Sequence, residues 1–563
     1  MTTTTTTQVI TAPVSLLAYR DAHVIDNGDI AAAAALVRMA QRTQPINPSD
    51  LAWVALGLVL RTSRDGHTCV DLARIADWAI GINFADPNHA PWPTNPDEWI
   101  TALHTMPALV GKPGDRTPLI LDGQRVYLAR AYAQENLIAS VLTRNNAEHV
   151  SVLLGGPGTG KTTEVARRLI KRFADGPDTP RLALAAPTGR AATRMTQVLQ
   201  TRCIEQQASP EVIAAVTAAP ARTVHSLLGF NPNRTPRFTF GANNPLPYDL
   251  VVIDEASMLS SSMMFQLLEA LPSDAKILLV GDPDQLASIE SGTVLADIAA
   301  SSRTPNSLLA SRTQVLTTQH RFAADSGIAA LASAVRDGDA KQALSILSSN
   351  TSDITWVNTS AQTSLDTLID DIVTHASHVC DAARANDDNT VLRIQRELQV
   401  LCAHRSGAMG VSGWNNRIES RLGSRADTAW YAGRPIMVNR NNATLNLSNG
   451  DVGVVMATKP ESRTEAVFGQ PGQSQRVPTS RLEDIETVHA LTIHKSQGSE
   501  YGHAVVVLPD THSRILTREL LYTGITRAID RLTIVGSHDV IEAAINRPIR
   551  RASGLATRLY IGS

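Results

Sequence analysis

The clearest chemical signal in the chain is a glycine-rich loop that ends in lysine and threonine and reads GGPGTGKT over residues 155–162. It follows the apolar run 151–154 and precedes a helical pattern. Glycines let a backbone turn tightly and direct N–H groups at phosphate oxygens, and a helix N-terminus adds the positive end of its dipole. We predict a nucleotide-phosphate site in which Lys161 reaches the β and γ phosphates and Thr162 ligates Mg²⁺. Its residues are Gly155, Gly156, Pro157, Gly158, Thr159, Gly160, Lys161, Thr162 and Thr163.

Two adjacent carboxylates, Asp254 and Glu255, end a second apolar run at residues 250–253. In open α/β sheets, ligands and catalytic groups gather at the carboxyl ends of the strands. Phosphoryl transfer needs positioning and charge neutralisation more than covalent chemistry. We predict that Asp254 holds Mg²⁺, directly or through water, and that Glu255 polarises the attacking water.

A third apolar run is followed by GDPDQL at residues 281–286. This spacing places Gln285 where its amide can sense the γ-phosphate or the water bound to it. A phosphate loop with an acidic partner would alone fit a small-molecule kinase, a GTPase or a transporter subunit, so further segments must decide.

Those segments occur in order along the chain. They are APTGRAA at 186–192, TVHSLLG at 223–229, DEAS at 254–257, GDPDQL at 281–286, TQHRF at 318–322, HALTIHKSQGSE at 489–500 and LLYTGITRA at 520–528. With the phosphate loop, they resemble the ordered motifs of superfamily-one helicases. The resemblance implies an ATP-hydrolysing DNA helicase with ATP and Mg²⁺ as cofactors.

Two arginines within these motifs, Arg321 and Arg527, are the best candidates for guanidinium groups that stabilise the transferring phosphoryl group from across a cleft. Lys161 and Glu255 belong to an earlier unit, so hydrolysis would require the cleft to close, and phosphate release would let it open. The predicted catalytic set is Lys161, Glu255, Gln285, Arg321 and Arg527.

Several polar side chains of the same motifs can contact DNA phosphates or stack against bases. They are Thr188, Arg190, Thr223, His225, Thr492, His494 and Lys495. Each of these residue types also commonly has a purely structural role. The resemblance further implies that Glu500 contacts the nucleotide ribose and that Gln134, upstream of the phosphate loop, reads adenine.

Within the superfamily, the phosphate loop, TVHSLLG, GDPDQL and the HKSQGSE and YTGITRA segments are most similar to the RecD family, the alpha subunits of bacterial exodeoxyribonuclease V. TPLILDGQRVYL at 117–128 resembles the hairpin that precedes the first motif in that family. The resemblance implies a 5′ to 3′ motor that acts on single-stranded DNA and duplex DNA ends beside RecB-like and RecC-like subunits in a heterotrimer. The sequence shows no nuclease cluster of carboxylates, so nuclease activity is expected in a partner subunit.

Three alternatives remain open. The nearest is a free-standing RecD-like helicase, which would carry an extended N-terminus with helix-hairpin-helix repeats. A conjugative relaxase would need a histidine cluster and a nucleophilic tyrosine in front of the motor, where residues 1–110 contain only Tyr19 and scattered histidines. A catalytically silent assembly subunit is disfavoured by the intact Lys161, Asp254, Glu255, Gln285, Arg321 and Arg527.

The elements that must position these residues follow from apolar patterning. Helical spacing dominates the N-terminal region, at 30–42, 51–61 and 70–82, and Asp122-Gly123 signals a hairpin within 119–128. From residue 150, short apolar strands alternate with helical stretches, which is typical of a parallel sheet with crossover helices. The turn-rich segment 425–486 predicts a small inserted β-barrel.

The predicted fold class is therefore α/β, with two RecA-like parallel-sheet motor domains, an N-terminal helical domain and a small β-barrel insertion in the second motor domain. A length of 563 residues requires several domains. The predicted divisions are 1–112 for an N-terminal helical partner-binding domain, 113–310 for motor domain 1, 311–424 with 487–563 for motor domain 2, and 425–486 for the barrel.

Composition limits the partners. The formal net charge is −2, so any nucleic-acid contact must be local rather than driven by an overall basic field. The four cysteines form no CxxC pair, which disfavours a disulfide framework, a zinc site or an iron–sulfur site. No secretion signal and no apolar run of the roughly 20 residues that span a bilayer are visible, so we expect a cytoplasmic protein without a membrane partner.

Overall fold

The computed structural model describes residues 13–560 except 14, 22, 76–91, 145–148, 176–179, 220, 305–306, 322–325, 350, 360–361, 443, 458–463 and 514. These residues form four sheets: a small N-terminal sheet, two parallel sheets and one antiparallel sheet. The chain is therefore a mixed α/β protein. No helix in this part of the chain is long and apolar enough to cross a membrane.

The N-terminal region packs helices around an apolar core that includes Trp53 and Trp99. Polar residues cap these helices: Asp26 forms a reciprocal capping box with Asp29, and Ser49 accepts from the backbone of the next helix. The helices are Ser15–Asp21, Asn27–Gln41, Asp50–Arg61 and Pro96–His104. The predicted helices at 30–42 and 51–61 are confirmed.

The predicted helix at 70–82 is wrong over its described part. The chain instead forms strand β1, Cys69–Asp71, and a single 3₁₀ turn. Val70 of β1 pairs with Val126 of the neighbouring hairpin. A two-stranded hairpin presents unpaired backbone groups along its edge, so strand pairing overrides the helical spacing of the apolar residues. Residues 76–82 lie outside the described part of the chain.

The predicted hairpin is confirmed as β3, Leu119–Asp122, and β4, Arg125–Leu128, with Gly123 at φ +59° between them. Together with β2, Val110–Gly111, the hairpin forms a sheet of order β1-β4-β3-β2. The N-terminal sheet therefore extends past the boundary predicted at residue 112.

The first parallel sheet has six strands in the order β10-β5-β9-β8-β6-β7. Its strands are β5 Val150–Gly155, β6 Leu182–Ala186, β7 Arg222–Thr223, β8 Leu250–Ile253, β9 Lys276–Gly281 and β10 Thr313–Leu316. Every neighbouring pair is parallel, as predicted. Helices cover it at Ala129–Thr143, Lys161–Ala174, Gly189–Glu205, Pro210–Ala218, Val224–Leu227, Ser261–Glu269 and Val294–Ser302. Because β10 pairs with β5, this sheet extends past the boundary predicted at residue 310.

The second parallel sheet begins with β11, Ile354–Val357, and β12, Leu398–Cys402. After an insertion the chain adds β18 Ala490–Thr492, β19 Tyr501–Val507 and β20 Ala528–Val535, which gives the order β11-β20-β19-β12-β18. All of these pairs are parallel. Its helices are Gly327–Asp337, Ala340–Ser348, Gln362–Arg384, Asp388–Glu397, Val411–Leu422, Arg518–Ile525 and His538–Ile545.

The insertion is an antiparallel sheet of order β16-β15-β14-β13-β17. Its strands are β13 Pro435–Val438, β14 Val452–Met456, β15 Glu465–Gln470, β16 Gln473–Pro478 and β17 Ile485–Thr487. One face buries Ile436, Val455 and Phe468 in a common core. Pairings between the two outer strands are absent among the described residues, so closure into a barrel stays a prediction.

The end of the chain returns from the second parallel sheet to the first. Its last helix, Leu555–Arg558, packs in the core of the first sheet. Arg558 donates to the fully buried carboxylate of Glu135 at 2.9 Å and to Asp122 of the hairpin at 2.8 Å. The two parallel sheets are thus joined by two segments, one after β10 and one after the helix His538–Ile545.

Candidate nucleotide cleft and DNA groove

The phosphate loop connects β5 to the helix Lys161–Ala174. Gly158 and Gly160 have φ of +78° and +81°, a left-handed conformation that glycine adopts without steric cost. A Cβ on Gly158 would lie 2.4 Å from the Cβ of Arg321, so the close approach of a second segment also requires glycine there. The Thr159 hydroxyl donates to the carbonyl of Gly156 at 2.8 Å and fixes the turn.

Lys161 is the first residue of that helix. Its Nζ donates to the carbonyl oxygens of Gly155 and Gly156 at 2.7 and 2.9 Å. The ammonium group therefore lies inside the loop, where phosphate oxygens can replace the two carbonyls as its acceptors. Thr162 follows it in the first helical turn, where backbone N–H groups have no intrahelical acceptor.

Asp254 and Glu255 lie directly beyond the carboxyl end of β8. The Asp254 N–H donates to the carbonyl of Ala185 in the adjacent strand at 2.9 Å, and its carboxylate accepts from the Glu255 N–H at 2.9 Å. Glu255 has φ +50°, a strained conformation for a residue with a side chain. Such strain clusters at functional sites, because the surrounding structure must hold it.

Two carboxylates, the half-buried Asp254 and the buried Asp282, face the lysine of the phosphate loop. Burial, reinforced by Glu255, raises the pKa of Asp254 above its usual range, and Lys161 opposes this rise. Burial also raises the pKa of Asp282 to about 6, again against Lys161. This concentration of carboxylates suits a divalent cation, and carboxylate and hydroxyl oxygens are the ligand types that Mg²⁺ prefers. The donor set of Thr162 and Asp254 therefore fits Mg²⁺.

Gln285 is buried at the boundary between the two parallel sheets. Its Nε2 donates to Asp282 at 3.2 Å, and its Oε1 accepts from Nη2 of Arg527 at 3.0 Å. The buried Arg527 also donates to the carbonyls of Thr523 and Ser499 at 3.1 and 3.2 Å. The structure thus brings together Gln285 and Arg527, two predicted catalytic residues of different sheets.

Further hydrogen bonds join the two sides at this point. The hydroxyl of Tyr522 donates to Asp282 at 3.1 Å, and a Cβ on Gly156 would lie 3.2 Å from that hydroxyl. The Leu286 N–H donates to the Thr523 hydroxyl at 2.9 Å. Tyr522 and Thr523, about one helical turn before Arg527, therefore reach the phosphate loop and the GDPDQL segment, respectively.

Arg321 belongs to the segment that covers the phosphate loop. The N–H of His320 donates to the carbonyl of Gly158 at 2.8 Å, which fixes this segment on the loop. The Arg321 guanidinium donates to one carboxylate oxygen of Glu500, and Arg194 of the Gly189–Glu205 helix donates to the other. Phe322, the last residue of the TQHRF segment, lies outside the described residues.

The two predicted base and ribose contacts stay predictions. Both carboxylate oxygens of Glu500 accept from arginines, which adds an ion-pair role to the expected ribose contact. Gln134 lies in the helix Ala129–Thr143, where the neighbouring Glu135 accepts from Arg558 and the backbone of Gly554. The hydrogen bonds of the described residues do not connect Gln134 to the phosphate loop.

The three threonines predicted to contact DNA all have local partners. Thr188 accepts from the Ala191 N–H at 3.2 Å and caps the Gly189–Glu205 helix. Thr223 caps the helix Val224–Leu227, and Thr492 accepts from the Lys495 N–H at 3.3 Å. Each hydroxyl therefore has a structural role at a helix or turn start.

The four basic candidates differ in their surroundings. His225 is exposed, and its ring centroid lies 5.3 Å from that of Phe230 in an edge-on contact. Lys495 forms an ion pair with Glu486 and donates to Asn439 at 3.0 Å. Burial lowers the pKa of His494, which favours its neutral form. Nη1 of Arg190 is buried and has no hydrogen-bond partner within the described part of the chain.

The chain matches models of three known protein domains. Residues 21–127 match the N-terminal domain of RecBCD enzyme subunit RecD, residues 131–359 an AAA domain, and residues 487–535 a UvrD-like helicase C-terminal domain. The RecBCD enzyme subunit RecD of Mycolicibacterium smegmatis is 39% identical over 96% of this chain and 98% of its own. This chain belongs to the RecD family. It is a helicase subunit of the RecD type.

The chain is also similar, at lower identity, to two other helicases. The ATP-dependent RecD2 DNA helicase of Deinococcus radiodurans is 30% identical over 73% of this chain and 50% of its own. The structure of Pif1 helicase from Bacteroides in complex with ADP-AlF3 and ssDNA covers 71% of this chain and 91% of that one, at 15% identity and a TM-score of 0.38. Identity and coverage both favour the subunit form of RecD over the RecD2 form.

Four residues were not predicted from the sequence: Asp282, Tyr522 and Arg194 at the cleft, and Phe230 beside His225 in the candidate DNA groove. Asp282 and Tyr522 lie within segments that were recognised, and their pairing across the cleft needed coordinates. Arg194 follows Arg190 by four residues in one helix, a spacing that places both on the same face. Phe230 directly follows the TVHSLLG segment. An aromatic residue beside a candidate DNA-binding motif could have predicted a base-stacking contact.

Proposed function

We propose that this RecD-family chain is an ATP-driven 5′ to 3′ DNA translocase and helicase of a RecBCD-type helicase–nuclease that processes double-strand DNA ends for recombinational repair. The observation that carries the proposal is the contact between Gln285 of one sheet and Arg527 of the other, beside a phosphate loop covered by Arg321. A nucleotide bound there would touch both sides, so its hydrolysis can change how the two sides fit.

In the proposed architecture, the two parallel sheets are RecA-like motor domains, and the antiparallel insertion is a small β-barrel. The N-terminal region, predicted as 1–112, would bind a partner subunit. The described segment between the helices His538–Ile545 and Leu555–Arg558, which joins the two parallel sheets, would be a hinge when the cleft opens.

The chemistry follows from the residues on the two sides. Lys161 and the loop N–H groups would hold the β and γ phosphates. Thr162 and Asp254 would hold Mg²⁺, which would neutralise charge on the phosphates. Glu255 orients and polarises the attacking water. Gln285 positions that water or senses the γ-phosphate, while Arg321 and Arg527 stabilise the charge of the transition state.

The DNA strand would lie where the Gly189–Glu205 helix meets the second sheet and the insertion. A cleft of about 1040 Å³ opens there and is lined by Arg190, Arg194, Arg396 and Ser448, among others. Guanidinium groups suit a phosphate backbone, and the exposed His225 and Phe230 offer ring faces for base stacking. Thr188, Thr223, Thr492, His494 and Lys495 complete the proposed strand contacts.

The partners are proposed from the relatives. Several are named as subunits of a RecBCD enzyme, so RecB-like and RecC-like subunits are the expected partners of this chain, with nuclease activity in one of them. A free-standing helicase of the RecD2 kind is the second candidate, and it is supported by lower identity over less of the chain.

The test is strand displacement by the purified chain, alone and with RecB-like and RecC-like subunits, on duplexes with either a 5′ or a 3′ overhang. We expect ATP-dependent unwinding from the 5′ overhang and none with Lys161→Ala. Unwinding from the 3′ overhang alone, or full activity of the variant, would contradict the proposal. Full activity without partners would favour the RecD2-like alternative.

A further inference from the structure

An ion-pair bridge connects the Gly189–Glu205 helix to the segment that covers the phosphate loop. Glu500 lies between two guanidiniums: one carboxylate oxygen accepts from Arg321 and the other from Arg194. The side chains of Glu500 and Arg321 are 18% and 17% exposed. Water therefore screens the pair less than it screens a surface ion pair.

Arg194 stands on the helix whose start would meet DNA. Thr188 caps this helix, and Arg194 lies six positions after it, a rise of about 9 Å. Arg190 precedes Arg194 by four residues, so both side chains lie on one face of the helix. A phosphate bound by Arg190 would therefore lie next to the arginine that contacts Glu500.

Each end of the bridge is fixed by further contacts. The carbonyl of Gly498 accepts from Arg194 at 3.5 Å, and a Cβ on Gly498 would lie 3.2 Å from the Cβ of Ala191. At the other end, the backbone of His320 holds Arg321 against the phosphate loop. A small movement of the helix must therefore move Glu500 relative to the loop or break its ion pair.

We propose that Arg194 and Glu500 are positioning residues for Arg321, and that they orient its guanidinium towards the nucleotide when single-stranded DNA occupies the start of the Gly189–Glu205 helix. The inference rests on the proposed function, in which Arg321 stabilises the transition state. Through these contacts, binding of DNA would stimulate ATP hydrolysis in the cleft. A guanidinium has five N–H donors, so Arg321 can contact Glu500 and a phosphate oxygen together.

The charges favour this arrangement. Burial tends to raise the pKa of Glu500, but Arg194 and Arg321 outweigh it and hold that pKa below its usual range. Glu500 therefore carries its negative charge at neutral pH. Without that charge, the two guanidiniums would repel each other, and Arg321 would lose its fixed orientation.

The test measures ATP hydrolysis by the full chain, with and without a poly(dT) oligonucleotide, for Glu500→Gln, Arg194→Ala and Arg321→Ala. The positioning role predicts that Glu500→Gln lowers kcat in the presence of DNA about tenfold, with KM for ATP changed by less than about twofold. Arg194→Ala should lower the ratio of the DNA-stimulated to the DNA-free rate, and Arg194→Lys should restore part of it. In an Arg321→Ala background, Arg194→Ala should cause no further loss.

The matched control is Arg181→Ala, which breaks an exposed Arg181–Asp249 pair of 2.7 Å at the amino end of β6, opposite the cleft, and should leave the stimulation unchanged. Thermal unfolding of each variant verifies that it folds. A higher KM for ATP at unchanged kcat in Glu500→Gln, together with a lost preference for ATP over 3′-deoxy-ATP, would overturn the inference in favour of a ribose contact.

The failures of the two proposals are distinguishable. Wild-type kcat in Arg321→Ala would contradict the catalytic role assigned under the proposed function. If Arg321→Ala is inactive but Arg194→Ala and Glu500→Gln retain normal kcat, the positioning role is contradicted and the catalytic role of Arg321 stands. Additive losses in the Arg194→Ala and Arg321→Ala double variant would also contradict it.

Discussion

The nucleotide cleft and the proposed DNA groove differ in how their candidate residues are engaged. In the cleft, Gln285 and Arg527 of different sheets bond directly to each other and are buried. In the groove, Thr188 and Thr223 cap helices, and His225 is exposed. Phosphoryl transfer requires a few groups in one fixed geometry, whereas a polymer backbone can be held by many weak contacts. Single substitutions should therefore have large effects in the cleft and small effects in the groove.

The largest expected effect is that of Glu255→Gln. The substitution keeps the shape of the side chain but removes the negative charge that polarises water, so kcat for ATP should fall by about 10²- to 10⁴-fold. Nucleotide affinity, measured with a fluorescent ATP analogue, should stay within about threefold, because Lys161 and the loop remain. Glu483→Gln, at an exposed carboxylate of the insertion, is the control. An equal loss in both variants would remove the special role of Glu255.

The second effect concerns the contact across the cleft. Arg527→Lys keeps the charge but not the planar fork that donates to Gln285, Thr523 and Ser499. We expect kcat to fall about 10- to 100-fold, since a lost transition-state donor has effects of this order or larger. Arg531→Lys, at an exposed position of β20, the strand that begins directly after Arg527, should retain activity. Steady-state ATP hydrolysis measures kcat for both variants. A wild-type kcat for Arg527→Lys would show that the positive charge alone is sufficient for catalysis.

A smaller effect is expected in the groove for Arg190→Ala. Loss of one phosphate contact should weaken binding of single-stranded DNA about three- to tenfold and lower the slope of log affinity against log salt by about one. Fluorescence anisotropy over a range of salt concentrations measures both quantities. An unchanged slope would place Arg190 away from the DNA backbone.

The smallest effect is expected for Thr188, because its hydroxyl already caps a helix. Thr188→Ala should lower the free energy of unfolding by about 1 kcal/mol, and Thr188→Ser should retain most of it. Urea unfolding measures this difference. DNA affinity of Thr188→Ser should remain within about twofold of wild type. A large loss of DNA affinity in the serine variant would show that a single groove residue is as sensitive to substitution as the cleft residues, which would contradict the difference proposed between the two regions.

The sequence was sufficient for the strand-loop-helix elements of the cleft. Apolar runs ending in GGPGTGKT, Asp254-Glu255 and GDPDQL predicted buried parallel strands, and all of these strands occur in one sheet. Burial on both faces leaves such runs little choice of structure. The hairpin at 119–128 was equally predictable, since Asp122-Gly123 allows a tight turn.

Other features depend on contacts between distant residues. Val70 lies in a strand because it pairs with Val126, more than fifty residues away, and β10 joins the first sheet because it pairs with β5. The bridge from Arg194 through Glu500 to Arg321 likewise needs three distant segments to meet. The local spacing of apolar and polar residues does not predict such long-range contacts. The sheet boundaries and the residues that connect the two sides were therefore accessible only from the structure.

The most direct test of the central claim is a structure of the full chain with ADP, aluminium fluoride, Mg²⁺ and single-stranded DNA. If the nucleotide is shared between the two sides, the guanidiniums of Arg321 and Arg527 will donate to the fluoride group or its bridging oxygens, opposite Lys161 and Glu255. If both arginines point away from it and only residues of the first parallel sheet contact the nucleotide, the account of a motor driven by closure of this cleft is wrong.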